Sequence, residues 1–372
     1  MKTILSTFRR RGAVLSGLGV FVCLVFAVVG RAAAAEPVMH FDSRLRVQTV
    51  CLRVLDPKGM PRQLYGRLYS DGLPESSRPA IVLVHGTTSS TEDWDISPRW
   101  SVARALANAG FDVLSYDRLG FARSSYFDVP DGGFSLTSTA QRHMLHTVVR
   151  LVRRGTYELA VHNSCAHPRA HAGVLHRRIV IIGHSSGGTI VSGYPGEYHD
   201  VSAMIQADIA APLQSDLGPG GGFTASRAHP DYFSFFETAA DCREFNGYAP
   251  GVVSYALDRI CTPPFVLTPF GEILGPKQDP SADQRYVARI GRSIPVLLTS
   301  GEEDTTDPPS LARKTFAYYR AHCDCRVSQL LLPNTGHLFM AHRSLVLWIH
   351  RVTAWLAHNK LAGHPLSRAR PR

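Results

Sequence analysis

The 372-residue chain has no block of basic residues interleaved with aromatics, so nucleic-acid binding is not indicated. No set of cysteines and histidines has zinc-ligand spacing, and neither another metal nor an organic cofactor is called for. Proline and glycine, at 24 and 31, are too few to suggest disorder. Acidic residues are missing from the first 35 positions. That stretch holds instead Lys2, Arg9, Arg10, Arg11 and Arg31, an apolar run from Ala13 to Gly30, and then Ala33, Ala34 and Ala35. This is the layout of a secretory signal cleaved after Ala35. Its alternative is an uncleaved N-terminal anchor, because the run is long for a signal and short for a membrane span. Without these five basic residues the formal charge falls from +10 to +5, a mildly basic surface.

Cysteine is scarce, and Cys23 sits in the apolar run. Six remain: Cys51, Cys165, Cys242, Cys261, Cys323 and Cys325. An even number in an exported chain predicts disulfides, with Cys242 and Cys261 the expected pair. Cys323 and Cys325 are one residue apart, so direct pairing is expected to be strained.

From Arg44 to Leu55 the residues alternate, with Leu45, Val47, Thr49 and Cys51 on one side, as in a half-buried strand. Arg62 to Ser70 reads as its hairpin partner across the turn Asp56 to Gly59. Six short apolar runs follow: 80–84, 113–116, 179–182, 204–209, 295–299 and 329–332. Runs apolar on both faces predict parallel strands covered by helices on either side. The helical spacing of Val102 with Leu106, of Met144 with Val148, Leu151 and Val152, and of Trp348 with Val352, Trp355 and Leu356 supplies those helices. The expected fold is therefore α/β, a mostly parallel eight-stranded sheet flanked by helices.

Two segments interrupt the alternation. Gly155 to Arg178 carries His162, His167, His171 and His176 and reads as a long polar loop rather than a metal site. Residues 212–292 follow the sixth strand and read as a cap over the sheet's carboxyl edge, where ligands bind in open α/β folds. The expected organisation is a core of 36–211 and 293–361, the cap between them, and a frayed basic tail at 362–372. The cap's aromatics, Tyr232, Phe233, Phe235, Phe236, Phe265 and Phe270, are expected either to line an acyl or alcohol pocket or to form the cap's own small core.

Chemistry concentrates at Gly183-His-Ser185-Ser-Gly187, which follows the apolar run from Ile179 and opens an apolar helix. Small residues on both sides allow the tight strand-to-helix turn that presents a nucleophilic serine. A serine hydroxyl needs a base and an orienting acid. His337, after the last strand, is the candidate base. The acid is expected in Gly301-Glu-Glu-Asp304-Thr-Thr-Asp307, with Asp304 preferred and Asp307 next. Backbone amides of Ser186 and Thr87 are the candidate oxyanion donors, and His85 reads as a structural hydrogen-bonding group.

Together with His85-Gly86 and Asp117-Arg-Leu-Gly-Phe-Ala-Arg-Ser124, these motifs resemble the α/β-hydrolase family of esterases, lipases and haloperoxidase-like enzymes, over most of residues 62–358. The resemblance implies that Asp117 to Ser124 borders the active site and that Thr87 matches the family's oxyanion donor. Ala122 departs from it, since many relatives have glycine there. Serine at the elbow, where epoxide hydrolases and haloalkane dehalogenases have aspartate, implies acyl chemistry. The expected function is an exported, extracytoplasmic serine hydrolase acting on a small, largely apolar carboxylic ester without cofactor. Amide, lactone or peptide hydrolysis, acyl transfer, or a non-catalytic binding role on the same fold are the alternatives.

Overall fold

The apolar runs become a sheet because their side chains alternate between two cores. In the computed structural model, which describes residues 37–72, 78–127, 129–171, 173–213, 224–273 and 280–363, Ala80, Val82 and Val84 face one hydrophobic cluster and Ile81 and Leu83 the other. The strands of the large sheet are β1 Arg46–Leu55, β2 Pro61–Ser70, β3 Ala80–Val84, β4 Asp112–Tyr116, β5 Glu158–Val161, β6 Ser164–Ala170, β7 Ile179–His184, β8 Ala203–Ala207, β9 Pro295–Gly301 and β10 Arg326–Leu332. Their order is β10-β9-β8-β7-β3-β4-β2-β1-β5-β6. The six strands from β10 to β4 run parallel, and β2, β1, β5 and β6 extend the edge antiparallel to one another.

The sheet has ten strands rather than eight. The two extra strands are the segment read as a polar loop, a hairpin whose turn residues His162 and Asn163 both take left-handed backbone angles. It joins the sheet through Val50 and Cys51, opposite Leu159 and Glu158, and through a disulfide from Cys165 to Cys51. That disulfide also corrects the reading of β1. Its core face is Val50, Leu52 and Val54, whereas Val47, on the expected core face, is exposed and Cys51 is buried.

Helix Ser138–Arg154 covers one face with Met144, Val148 and Val152, started by the Thr137 side chain and stopped by Gly155 at φ 64°. Helix Leu345–His358 covers the other with Trp348, Val352 and Leu356, while Trp355 is half-buried and donates to Ser328. Between β8 and β9 lie a small three-stranded sheet (Thr224–Ala225, Tyr232–Ser234, Thr268–Pro269) and helices Ala239–Asn246, Ser254–Ile260 and Pro280–Val287. Cys242 and Cys261 pair inside this region and are fully buried with Phe236 and Leu257. Cys323 pairs with Cys325, across the one-residue spacing. The signal read at 1–35 and most of the basic tail lie outside the described residues.

Candidate active site

β7 ends at His184 and helix Ser186–Ser192 begins immediately, so Ser185 must turn the chain within one residue. It does so at φ 52° and ψ −127°, a conformation that costs a non-glycine residue on the order of 1–3 kcal/mol and persists only where the surroundings enforce it. They do: a Cβ on Gly183 would strike the Gly187 carbonyl, and one on Gly187 would strike the Val84 and His85 carbonyls. The elbow therefore needs both glycines for space.

The strand ends bring Ser185, His337 and Asp304 together. Ser185 Oγ lies 2.9 Å from His337 Nε2, and His337 Nδ1 lies 2.9 Å from Asp304 Oδ2. Nδ1–H donates to the carboxylate, which leaves Nε2 to accept from the serine hydroxyl. Asp304 is fixed in turn, its Oδ1 accepting from the amides of Thr306 and Asp307 at 2.8 and 3.0 Å. Asp307, the second candidate acid, is turned away and accepts from the Ala210 amide at 3.0 Å. Glu302 and Glu303 are exposed. In the turn before His337, Asn334 takes the left-handed angle (φ 53°), and Gly336 makes room for Tyr248, 3.1 Å from where a Cβ would stand.

Three carboxyls surround the imidazole. Burial alone would lower the His337 pKa, but the charge and hydrogen bond of Asp304, with Asp307 and Asp208 behind it, raise it to about 9. Asp208 is fully buried. Burial and the nearby Asp304 charge push its carboxyl well above the usual range, its Oδ1 accepts from the Gly301 amide, and its Oδ2 has no hydrogen-bond partner among the described residues. Burial likewise pushes Asp307 up to about 7. His184 donates from Nε2 to the His337 carbonyl at 2.9 Å, and burial and the neighbouring His337 hold its pKa down to about 3, so it stays neutral. His184 and Asp208 have no signal in the sequence beyond standing next to the elbow and after a strand.

Thr87, on the loop after β3, lines the same cavity as Ser185, and Ser186 opens the helix that follows it. No acceptor within the described residues takes either amide. Gly86 is required by close approach, since a Cβ would stand 3.0 Å from that of Ser185; the left-handed residue of the loop is Thr88 (φ 58°). His85 is buried, donates from Nδ1 to the Gly86 carbonyl and accepts at Nε2 from the Arg118 amide. Arg118 donates to the same carbonyl at 2.9 Å and forms a two-point ion pair with Glu272 at 2.6 and 3.1 Å, and Glu272 accepts from the Thr87 hydroxyl at 2.9 Å. Arg118 was legible only as a neighbour of Asp117, and Glu272 had no signal. Ala122 stands at φ 44°, the angle that explains a glycine at the matching place in relatives.

Above the serine is a cavity of about 590 Å³. Phe235, Phe236, Phe245 and Phe265 line one wall, and Phe236 is also part of the small core around Cys242–Cys261. Tyr232, Phe233 and Phe270 do not line it: Tyr232 accepts from the Phe127 amide, and Phe270 stacks between Phe134 and Phe233.

A model of the alpha/beta hydrolase family matches residues 81–347. No curated protein matches the sequence. Among solved structures, the peroxisomal alpha-beta-hydrolase of Saccharomyces cerevisiae superposes with a TM-score of 0.56 at 14% identity, over 89% of this chain and 93% of that one. The monoacylglycerol lipase of Paleococcus ferrophilus gives 0.54 at 15% identity, over 80% and 99%. A thioesterase domain from the curacin biosynthetic pathway gives 0.52 at 16% identity, over 81% and 99%. At these identities the likeness is one of fold.

Proposed function

The chain belongs to the alpha/beta hydrolase family, and from that premise we propose that it is an exported serine hydrolase that cleaves a small carboxylic ester through Ser185, His337 and Asp304. The observation that carries this reading is the unbroken relay of two 2.9 Å contacts from hydroxyl through imidazole to a carboxylate held by two amides. Export is supported by three cysteine pairs, which persist in oxidising compartments. Mass spectrometry of the secreted protein tests it, with a first residue at Glu36 expected and a retained Met1 counting against cleavage.

In the proposed reaction Ser185 Oγ attacks the ester carbonyl carbon while His337 Nε2 takes the hydroxyl proton. The carbonyl oxygen becomes an oxyanion between the amides of Thr87 and Ser186, each such donor contributing roughly 2.7–4 kcal/mol to lowering the barrier. The intermediate collapses, the C–O bond to the alcohol breaks, and Nε2–H protonates the departing oxygen. Water then attacks the acyl-enzyme, gives a proton to His337, and releases the acid and the serine hydroxyl. Asp304 remains ionised and holds the imidazole ring throughout.

The test is hydrolysis of p-nitrophenyl esters from acetate to palmitate by the mature protein beside Ser185→Ala, with labelling by a serine-reactive phosphonate. Turnover and labelling that both vanish in the variant are expected. Labelling without ester turnover would move the substrate to an amide, lactone or acyl-transfer reaction, and the absence of both would leave a binding protein.

A further inference from the structure

Besides the phenylalanines the cavity has a polar lining, and the proposed hydrolysis leaves it unused. Ser89, Asp93, Asp95, Arg67 and Arg104 belong to it, in the same cavity as Ser185 and His337. Most of this lining is already satisfied. Asp95 accepts from Tyr69 at 3.0 Å and from Arg104 at 2.7 and 3.2 Å, with Arg67 at 3.5 Å. Asp93 is different. One of its oxygens accepts from the buried Ser89 hydroxyl, and the other has no partner among the described residues. The side chain is partly open to the cavity, yet protein surrounds it closely enough that burial, with Glu92 and Asp117 adding, pushes its carboxyl up to about 7. A desolvated carboxyl with an open acceptor gains most from a ligand donor that reaches it without water.

We propose that Asp93 is the anchor of a second subsite, which takes a hydroxyl-bearing arm of the substrate while its alkyl arm lies on the phenylalanine wall. The charge balance selects a hydroxyl over a cation: Glu92, Asp93 and Asp95 are offset by Arg123, paired with Glu92, by Arg67 and Arg104 beside Asp95, and by Arg259, which lines the same cavity. No excess of negative charge therefore draws in a cation, and the Asp93 oxygen without a partner among the described residues is left to accept from a ligand hydroxyl. The preferred substrate is thus amphipathic, with the ester between an aliphatic chain and a hydroxylated one.

The inference rests on the hydrolase reading, so its test has one arm with turnover and one without. In the first, kcat/KM is compared within two pairs, p-nitrophenyl hexanoate with its 6-hydroxy form and butyl butyrate with its 4-hydroxybutyl ester. The wild type is expected to favour the hydroxylated member of at least one pair by about tenfold. That ratio falls to about one in Asp93→Leu and is largely kept in Asp93→Asn, which retains an acceptor. In the second arm, Ser185→Ala protein is titrated calorimetrically with 1-O-hexylglycerol, a non-hydrolysable ether. It is expected to bind at least tenfold more tightly than its dimethyl ether, and to lose that margin in Ser185→Ala/Asp93→Leu. A wild type indifferent to the hydroxyl in both pairs, a preference that survives Asp93→Leu, or tighter binding of hexylammonium than of hexylglycerol would overturn the subsite. Discriminating binding without Ser185-dependent turnover would instead overturn the hydrolase reading and leave the subsite standing.

Discussion

Arg118, on the loop after β4, and Glu272, between β8 and β9, meet in a two-point ion pair that is sealed from solvent on both sides. The pair holds the Gly86 carbonyl through Arg118 and the Thr87 hydroxyl through Glu272, and so fixes the loop whose amide faces the candidate oxyanion site. Removing one partner of a buried pair strands the other charge. Glu272→Gln is therefore expected to destabilise the fold by about 3 kcal/mol in urea unfolding. It should also lower kcat for ester hydrolysis more than it raises KM, because the loop it loosens acts on the transition state. An unchanged unfolding midpoint would show that the pair does not hold the loop.

Asp304 and Asp307 are separated by their partners rather than by distance along the chain. Asp304→Asn leaves the imidazole without its charged partner and is expected to lower kcat by roughly 10³–10⁴-fold. Asp307→Asn removes a bond to the Ala210 amide and a charge behind the imidazole but leaves the Asp304 bond to Nδ1 in place, and a loss of less than about tenfold is expected. Steady-state kinetics on one p-nitrophenyl ester ranks the two, and the reverse ranking would make Asp307 the orienting acid.

The pH profile follows from the same geometry. The base must be neutral to accept the serine proton, and the His337 pKa is raised to about 9. Accordingly kcat/KM should rise with pH through neutrality and level off above about 9, with a single-proton slope. Asp304→Asn should move that limb to lower pH. The corresponding stability term has the opposite sign: protonated His337 favours the folded state, so this contribution is complete below its unfolded pKa and is lost as the pH rises through about 9. A limb centred near 6.5 would show that the surrounding carboxyls are neutral.

The edge hairpin is held by Cys51–Cys165, which closes 114 residues of chain. Chain-entropy reasoning gives such a link about 4–5 kcal/mol. Replacing both cysteines with alanine should lower stability by that order and make residues 158–170 the first site of limited proteolysis. Equal resistance in the oxidised and double-alanine proteins would place the hairpin's stability in its contacts with β1.

How much of this was legible depended on whether a residue's environment repeats along the chain. The six parallel strands and their helices could be read because burial on both faces leaves an unbroken apolar run and burial on one face leaves a period near 3.6. β5 and β6 could not. They lie at an open edge with both faces largely exposed, so their polar and histidine-rich sequence carries no period, and only the left-handed His162 and Asn163 hint at a turn. Val47 misled for a related reason, since Cys51 is buried by a bond to a residue 114 positions away rather than by a core face.

The candidate site divides along the same line. By itself the sequence determined the elbow, because a serine between Gly183 and Gly187 after a buried strand satisfies a steric demand entirely within five residues. It also narrowed the base and the acid, since both must follow strands that end at the same edge. Which carboxylate turns toward His337, that Glu272 and Arg118 brace the oxyanion loop, and that Asp93 shares a cavity with Ser185 were decided only by the tertiary structure. Those relationships join residues from about 30 to more than 150 positions apart, and their energies come from burial and charge that arise only when the sheet edge and the segment above it close together.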